Sequence, residues 1–389
     1  MHSQLAIEDT IVADSTYVST RSQQHRYVTL DGMRGIAALS VAAHHFGGGL
    51  ISGGYLAVDF FFLLSGFVLM RTYGSWLQGG GHQIEFARIR VIRLFPIYII
   101  GLLFGACYTV FGILRHWQAS ISWFELTTSV FFNLFMLPAP FSPALFPTNM
   151  PAWSLFYEML AGLALPALLV RRSNMAILAF CAVAAIAITL VGYRLVGSPD
   201  ALGLDHSPLI RGPTWEVWYL GLMRMAFSFP LGVVIARLTL SQGRRISNWV
   251  VLLIVLLASI FAISVSGMAR LWYDLICIFA IFPVILIFAS RIEPKGVVAK
   301  IARFGGNISF ALYAVHATLC RLAWYYLEQR FAITAGISLL IYLAASIALA
   351  WSIATWIDPP VRRRLSNLFA DKAEQGSSTH RVSSCRLSN

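Results

Sequence analysis

The chain has 389 residues, of which 58% are hydrophobic and only 12% are charged. Soluble globular proteins carry about 25% charged residues, so this composition excludes an ordinary soluble domain and predicts a polytopic membrane protein. The formal net charge of +12 would elsewhere suggest a nucleic-acid partner. In a membrane chain a basic excess is first tested against topology, and we expect no binding of nucleic acid.

The two ends of the chain differ from its apolar middle. Residues 1–26 are polar and lack the basic-then-apolar order of a cleavable signal peptide, so we interpret them as a cytoplasmic lead-in. Residues 366–389 are Ser-rich and basic without apolar periodicity, which predicts a disordered tail. A transmembrane domain is therefore expected over residues 27–365. The cysteines lie singly, without CxxC spacing, so we predict neither a disulfide framework nor a metal site.

Apolar blocks of about 20 residues, each long enough to cross a bilayer, recur along the domain. We place ten spans at residues 30–48, 54–73, 94–114, 152–170, 175–195, 216–236, 249–266, 271–289, 308–327 and 333–354. The apolar segment 124–137 is shorter, and we interpret it as re-entrant or interfacial, with a further span as the alternative. The predicted fold class is all-α, a transmembrane helical bundle.

The basic residues between these spans have an uneven distribution. With the N-terminus inside, sixteen arginines and lysines fall in inner connections and the start of the tail, and five fall in outer connections. This bias is the positive-inside signature of membrane proteins. It predicts an even number of spans, with both termini in the cytoplasm.

The first span begins near Arg34 and ends with the pair His44 and His45. At 100° per residue, Arg34 and His45 share one helix face and lie about 16 Å apart, whereas His44 points about 100° away. The face between them carries the small residues Ala38, Val41 and Ala42. We therefore expect a narrow cavity along this helix. The alternative is that both histidines only cap the outer end of the span.

The second span places Asp59 at a depth similar to that of His45, because a short connection joins the two antiparallel helices. A carboxylate that orients an imidazole fixes its tautomer and lets the other ring nitrogen act as a general base. The alternative is a purely structural ion pair, which would look the same in the sequence. Arg224 and Asp274 are further charges at membrane depth whose partners the sequence does not identify.

Polar side chains recur in two later spans. Ser154 and Glu158 are four residues apart and share a helix face, and Ser309, Tyr313 and His316 follow one stripe of another helix. Each alone fits an ordinary interhelical hydrogen bond. Together they predict a cavity lined by polar groups, with these five residues in the cavity or on the acceptor side.

Three arginines, Arg88, Arg90 and Arg93, precede the third span in the segment "ARIRVIRLFPIY". Arginine binds phosphate oxygens in a bidentate fork, which indicates an anion site at the cytoplasmic mouth. The alternative is a basic anchor that contacts anionic lipid.

The order of these segments resembles the acyltransferase-3 family of bacterial membrane proteins, which acylate hydroxyl groups of sugars and related compounds. The resemblance runs from about Leu30 to Leu365 and rests on "LDGMRGIAALSVAAHHF", "GGYLAVDFFFLLSGF", "RIRVIRLFPIY", "WSLFYEML", "ISFALYAVH" and "DPPVRRRL". The family's tail motif is usually glutamate, one residue, then proline. This chain departs from it with Asp358, Pro359 and Pro360.

The resemblance implies a role for each motif residue. The family's arginine falls on Arg34, its histidine on His45 rather than His44, and its aspartate on Asp59. The remaining motif positions fall on Arg90, Arg93, Glu158 and His316. By this likeness, His45 and Asp59 are expected to be catalytic, and the arginines at positions 34, 90 and 93 are expected to bind the acyl donor.

The implied reaction is transfer of an acyl group, which we expect to be acetyl, from acyl-CoA to a hydroxyl of a sugar, polysaccharide precursor or glycosylated small molecule. Acyl-CoA is then a co-substrate, with no permanently bound cofactor, and the location is the bacterial cytoplasmic membrane. The alternatives are a transporter of an anionic or sugar-linked substrate and a scaffold for polysaccharide assembly. Transporters often contain paired halves, but the later half shows no second copy of the arrangement of Arg34, His45 and Asp59.

Overall fold

The computed structural model describes residues 26–46, 51–115, 121–196, 214–239 and 245–369, and helices dominate these ranges. The helices are α1 Val28–Phe46, α2 Ala57–Gln78, α3 Gln83–Leu114, α4 Trp123–Leu134, α5 Ala152–Ala164, α6 Asn174–Val196, α7 Trp218–Leu238, α8 Trp249–Ala262, α9 Gly267–Ile276, α10 Phe282–Ala289, α11 Gly296–Ala323 and α12 Ala335–Ser352. Short helical turns lead into or extend five of them, at Gly54–Leu56, Leu165–Leu169, Cys277–Ile281, Trp324–Arg330 and Ile353–Ile357. Two-residue strands, β1 Arg245–Ile246 and β2 Ile292–Glu293, pair in parallel. The all-α prediction is confirmed.

Each predicted span coincides with a helix or a pair of joined helices. Within the described ranges, seven helices are long and apolar enough to cross a membrane. The other three predicted spans correspond to α1 and α11, which carry ionisable and small residues, and to α8, which has only 14 residues. Helix α4 has 12 residues, too few to cross a bilayer. The number of spans and their orientation stay predictions, and the lead-in and most of the tail lie outside the described residues.

Two helix pairs, α1 with α11 and α2 with α7, pack closely because glycines bring their backbones together. A Cβ placed on Gly35 would lie 2.8 Å from the Cα of Gly305, and one on Gly66 would lie 2.0 Å from the carbonyl oxygen of Phe229. Neither position has room for a side chain. Small residues at such crossings let membrane helices gain close contact. The α1 and α11 pair sets the register between Arg34, His45 and His316.

The start of α1 is fixed by a carboxylate from another part of the chain. Glu293 accepts hydrogen bonds from the backbone N–H groups of Val28, at 2.9 Å, and Thr29, at 3.3 Å. A negative group at this position satisfies free amides and complements the helix dipole. The strand of residues 292–293 therefore anchors the end of α1 nearest to Arg34.

Candidate active site

The arginines predicted to bind the donor line a single cavity. Arg34 comes from α1, Arg90 and Arg93 come from α3, and Glu158 of α5 lies opposite them. The walls are completed by α2 residues, Phe61, Leu64, Ser65, Val68 and Leu69. We call this space the arginine cavity. Its volume is about 30 Å³, enough for about two water molecules.

The charges in the arginine cavity do not balance. A terminal nitrogen of Arg90 lies 3.2 Å from Glu158, and the Ser65 hydroxyl donates to the same carboxylate oxygen at 2.8 Å. Arg34 and Arg93 form neither a hydrogen bond nor an ion pair with any described residue. Three guanidinium groups face this cavity and one carboxylate lines it, so the arrangement is complementary to an anionic ligand.

The structure adds detail for two of these residues. Arg90 is only 2% exposed and lies about 10 Å along α3 from the start of that helix. Glu158 lines the arginine cavity, which is one of the two places predicted for it. Gly162, one turn further along α5, leaves no space for a side chain, because a Cβ there would lie 2.9 Å from Nε of Arg90. The helix α5 therefore holds Arg90 by both a charge and a close contact.

His45 lies at the far end of α1, and its side chain is exposed. Its Nδ1 is 2.9 Å from the carbonyl oxygen of Val41. A carbonyl only accepts, so Nδ1 carries the proton and Nε2 of the neutral ring bears the free lone pair. This tautomer is the one that a general base or nucleophile requires, and a backbone carbonyl, not a carboxylate, fixes it.

His316 of α11 lies beside His45, with the two ring centroids 5.0 Å apart. It is fully buried, and its Nδ1 is 2.8 Å from the carbonyl oxygen of Tyr313. Its Nε2 is buried without a hydrogen-bond partner among the described residues. A buried polar atom without a partner is costly, which is typical of a group reserved for a ligand or for chemistry.

A row of rings joins the arginine cavity to the two histidines. The Phe61 ring, which lines the cavity, lies 5.7 Å from the Tyr313 ring, and Tyr313 lies 5.5 Å from His316. The Tyr313 hydroxyl shares a 2.6 Å hydrogen bond with Ser154. Ser309 donates to a carbonyl of its own helix, that of Gly306, at 2.9 Å. The structure thus brings Ser154, Tyr313 and His316 together, and it gives Ser309 a local bond within α11.

The small-residue face of α1 does not line a cavity. Ala38, Val41 and Ala42 are at most 1% exposed, and the Tyr342 hydroxyl donates to the Ala42 carbonyl at 3.2 Å. Ala38 belongs to an apolar cluster with residues of α11. The prediction of a narrow cavity along this face is therefore wrong, because these small residues allow close helix packing.

Asp59 does not pair with His45, so this prediction is wrong for the structure described. Both carboxylate oxygens instead accept from Arg224 of α7, at 3.0 and 2.6 Å, and both side chains are buried. A buried carboxylate is compensated better by a bidentate guanidinium than by a neutral imidazole. The sequence did not reveal this pair because 165 residues separate its members.

Arg224 and Asp59 belong to a larger buried group with Tyr55, Arg270 and Asp274, which we call the paired cluster. Arg224 also donates to the Tyr55 carbonyl at 3.3 Å, and the Tyr55 hydroxyl donates to Asp274 at 2.5 Å. Arg270 lies 3.1 Å from Asp274 and 2.6 Å from the Tyr55 hydroxyl. Sequence reasoning missed Tyr55 and Arg270. The spacing of Arg270 and Asp274, four apart on one helix, was the available signal.

The fold and the site define a class: a multi-pass helical membrane protein that contains a cationic cavity and, further along α1, an exposed histidine whose Nδ1 carries the proton. A family model described as an acyltransferase domain, that of the acyltransferase-3 family, matches residues 27–355. The chain belongs to this family, and it is an enzyme of the O-acyltransferase class. No solved structure gives a significant match.

Curated relatives are similar over different parts of the chain. Acyltransferase MdmB of Streptomyces mycarofaciens is 28% identical over 87% of this chain and 92% of its own length. Protein 2 in the picA locus of Rhizobium radiobacter is 39% identical over 36% of this chain and 81% of its own length. The peptidoglycan O-acetyltransferase OatA of Listeria monocytogenes is 27% identical over 31% of this chain, and the match spans only 22% of OatA.

Proposed function

We propose that this protein transfers an acyl group, expected to be acetyl, from acyl-CoA to a hydroxyl of a carbohydrate or glycosylated acceptor at the bacterial cytoplasmic membrane. The observation that carries the proposal is the arginine cavity, where Arg34 and Arg93 lie beside Arg90 without a direct ion pair to any described residue. Acyl-CoA is a polyphosphate, and arginine forks are matched to phosphate oxygens. The names of relatives that acylate peptidoglycan support a carbohydrate acceptor.

The donor is longer than the arginine cavity, so its acyl end has to extend toward His45. Arg34 and His45 are eleven residues apart on α1, a rise of about 16 Å. The side of α1 that packs against α11 is closed, which leaves the row of Phe61, Tyr313 and His316 as the path. In this proposal Phe61 moves away from Tyr313 when the donor binds, and the thioester reaches the imidazoles.

The proposed reaction at His45 needs one protein side chain, the His45 imidazole, besides the two substrates. Nε2 of His45 takes the proton of the acceptor hydroxyl while the hydroxyl oxygen attacks the thioester carbonyl carbon. The carbon–sulfur bond breaks, and the departing thiolate takes the proton from the imidazolium to give CoA. Alternatively, Nε2 attacks the carbonyl carbon first and CoA leaves as the thiolate. The acceptor oxygen then displaces the imidazole from the acyl group, and the acceptor's proton passes by way of the released Nε2 to the thiolate. The exposure of the His45 side chain gives an acceptor access to either route.

Direct binding tests the donor, and CoA release tests the reaction. We expect purified protein in lipid nanodiscs to bind acetyl-CoA, with competition by CoA and weaker competition by dephospho-CoA, which has one phosphate fewer. With a panel of oligosaccharides, the correct acceptor should accelerate the release of free thiol from acetyl-CoA. Failure to bind any acyl-CoA would overturn the assignment of the arginine cavity.

A further inference from the structure

A second and larger cavity lies on a different face of α5 from the arginine cavity. It runs between α5, α6 and α7, has a volume of about 620 Å³, and we call it the lateral groove. Small side chains, Ala161, Ala164, Ala176 and Ala226, leave the space open. The volume lies within the range of about 300 to 1,000 Å³ that is typical of ligand sites in proteins.

The lateral groove opens on the surface that faces lipid. Its rim residues Leu160, Leu168 and Phe180 are 42%, 59% and 50% exposed. From Leu160 to Leu169, where the helical turns end, the chain advances by about 14 Å, close to half of the roughly 30 Å hydrocarbon core. The length therefore fits a lipid chain from a single leaflet.

One end of the groove is basic. Arg172 lines it, is exposed, and its guanidinium forms no bond with any described residue. Nearby, Arg237 donates to the carbonyl oxygens of Leu169 and Val170, at 2.7 and 2.9 Å, and so neutralises the negative end of the preceding helical turn. The charge at this end of the groove is thus complementary to an anion.

We propose that the lateral groove binds one anionic glycerophospholipid, with an acyl chain along its apolar walls and the phosphate at Arg172. The topology predicted from the charge bias puts this end at the cytoplasmic surface, where anionic lipid is available. The wall residues Leu160, Ala161 and Ala164 lie on α5, which carries Glu158 into the arginine cavity. The bound lipid therefore supports the helix that holds Arg90.

The test uses the full chain, delipidated in detergent, and native mass spectrometry with phosphatidylglycerol and phosphatidylcholine of the same acyl chains. We expect phosphatidylglycerol to be retained about fivefold better, which corresponds to about 1 kcal/mol for one arginine near a phosphate. Arg172→Gln should abolish this preference. Arg171→Gln is the matched control, since it removes an equal charge from the neighbouring exposed residue that does not line the groove, and it should keep the preference.

Filling the groove tests the apolar half of the proposal. Ala164→Phe should lower retention of both lipids several-fold while the thermal unfolding midpoint stays near that of the wild type. Equal retention of the two lipids by the wild type, or equal effects of the two arginine variants, would show a nonspecific lipid shell and overturn the proposal. Stronger retention of an isoprenyl phosphate would also overturn it. Should Ala164→Phe fail to fold, the arginine variants alone decide.

Discussion

The arginine cavity and the paired cluster both place arginines inside the helical bundle, but they differ in how the charge is compensated. In the paired cluster, Arg224 and Arg270 each contact their own aspartate. In the arginine cavity, Glu158 forms an ion pair with Arg90 only, while Arg34 and Arg93 form no direct ion pair with any described residue. A neutralised buried pair is expected to contribute to folding, whereas cations without a direct pair favour binding of an anionic ligand. The comparison teaches that charge balance, more than burial, distinguishes the two regions.

The largest effect on acyl transfer is expected from substitution at the histidine pair, His44 and His45. The His45 ring lies 5.0 Å from the His316 ring, whereas the His44 ring lies 5.6 Å from the rings of both His45 and Tyr55. His45→Ala should lower acyl transfer by about 10²- to 10⁴-fold, the usual range for removal of a general base. His44→Ala should lower it far less. The measurement is the rate of CoA release per folded protein, and equal losses at both positions would contradict the assignment.

Removing a charge from the paired cluster should lower the thermal stability of the protein. Asp59→Asn leaves the Arg224 guanidinium buried without a counter-charge, which costs about 3 to 5 kcal/mol. We expect a lower thermal unfolding midpoint in detergent, with partial recovery in the double variant Asp59→Asn, Arg224→Gln, because both charges are then gone. A variant that unfolds like the wild type but has lost acyl transfer would instead restore the catalytic role first predicted for Asp59.

Substitution of an arginine in the arginine cavity should lower the affinity for the acyl donor. Arg93→Lys keeps the charge but loses the bidentate fork, and losing a charge-assisted hydrogen bond costs about 1.5 to 3 kcal/mol. Affinity for acetyl-CoA should fall roughly ten- to hundredfold at unchanged unfolding midpoint. Arg88→Lys is the matched control, since Arg88 lies on the same helix outside the cavity, 3.6 Å from Glu85. Equal affinities of the two variants would remove Arg93 from the donor site.

The smallest effect is expected for the carboxylate of the arginine cavity. Glu158→Gln keeps an oxygen for Ser65 and Arg90 but removes a negative charge from an anion site. Acetyl-CoA should bind several-fold more tightly, and the unfolding midpoint should fall less than in Asp59→Asn, because Arg90 keeps a hydrogen-bond acceptor. Titration calorimetry measures the affinity. A loss of affinity would mean that Glu158 orients Arg90 for the phosphate.

The sequence predicted the helical class and the position of each apolar block because hydropathy is a local property. Helix periodicity is local too, and it predicts different faces for His45 and His44. The prediction failed where the answer depended on neighbours from other helices. Arg224 supplies the partner of Asp59 from α7, so depth counted along a single helix gave that carboxylate the wrong partner. The small residues of α1 carried two meanings, cavity or tight packing, and only the position of α11 decided between them.

The contact between Gly35 and Gly305 has a mechanical consequence. The two backbones leave no room for a side chain at this crossing, so we expect α1 and α11 to move together. His45 lies on α1 and His316 on α11, whereas Phe61 and Arg90 lie on α2 and α3. If the donor binds as proposed, we expect α2 and α3 to move while the distance between His45 and His316 stays nearly constant.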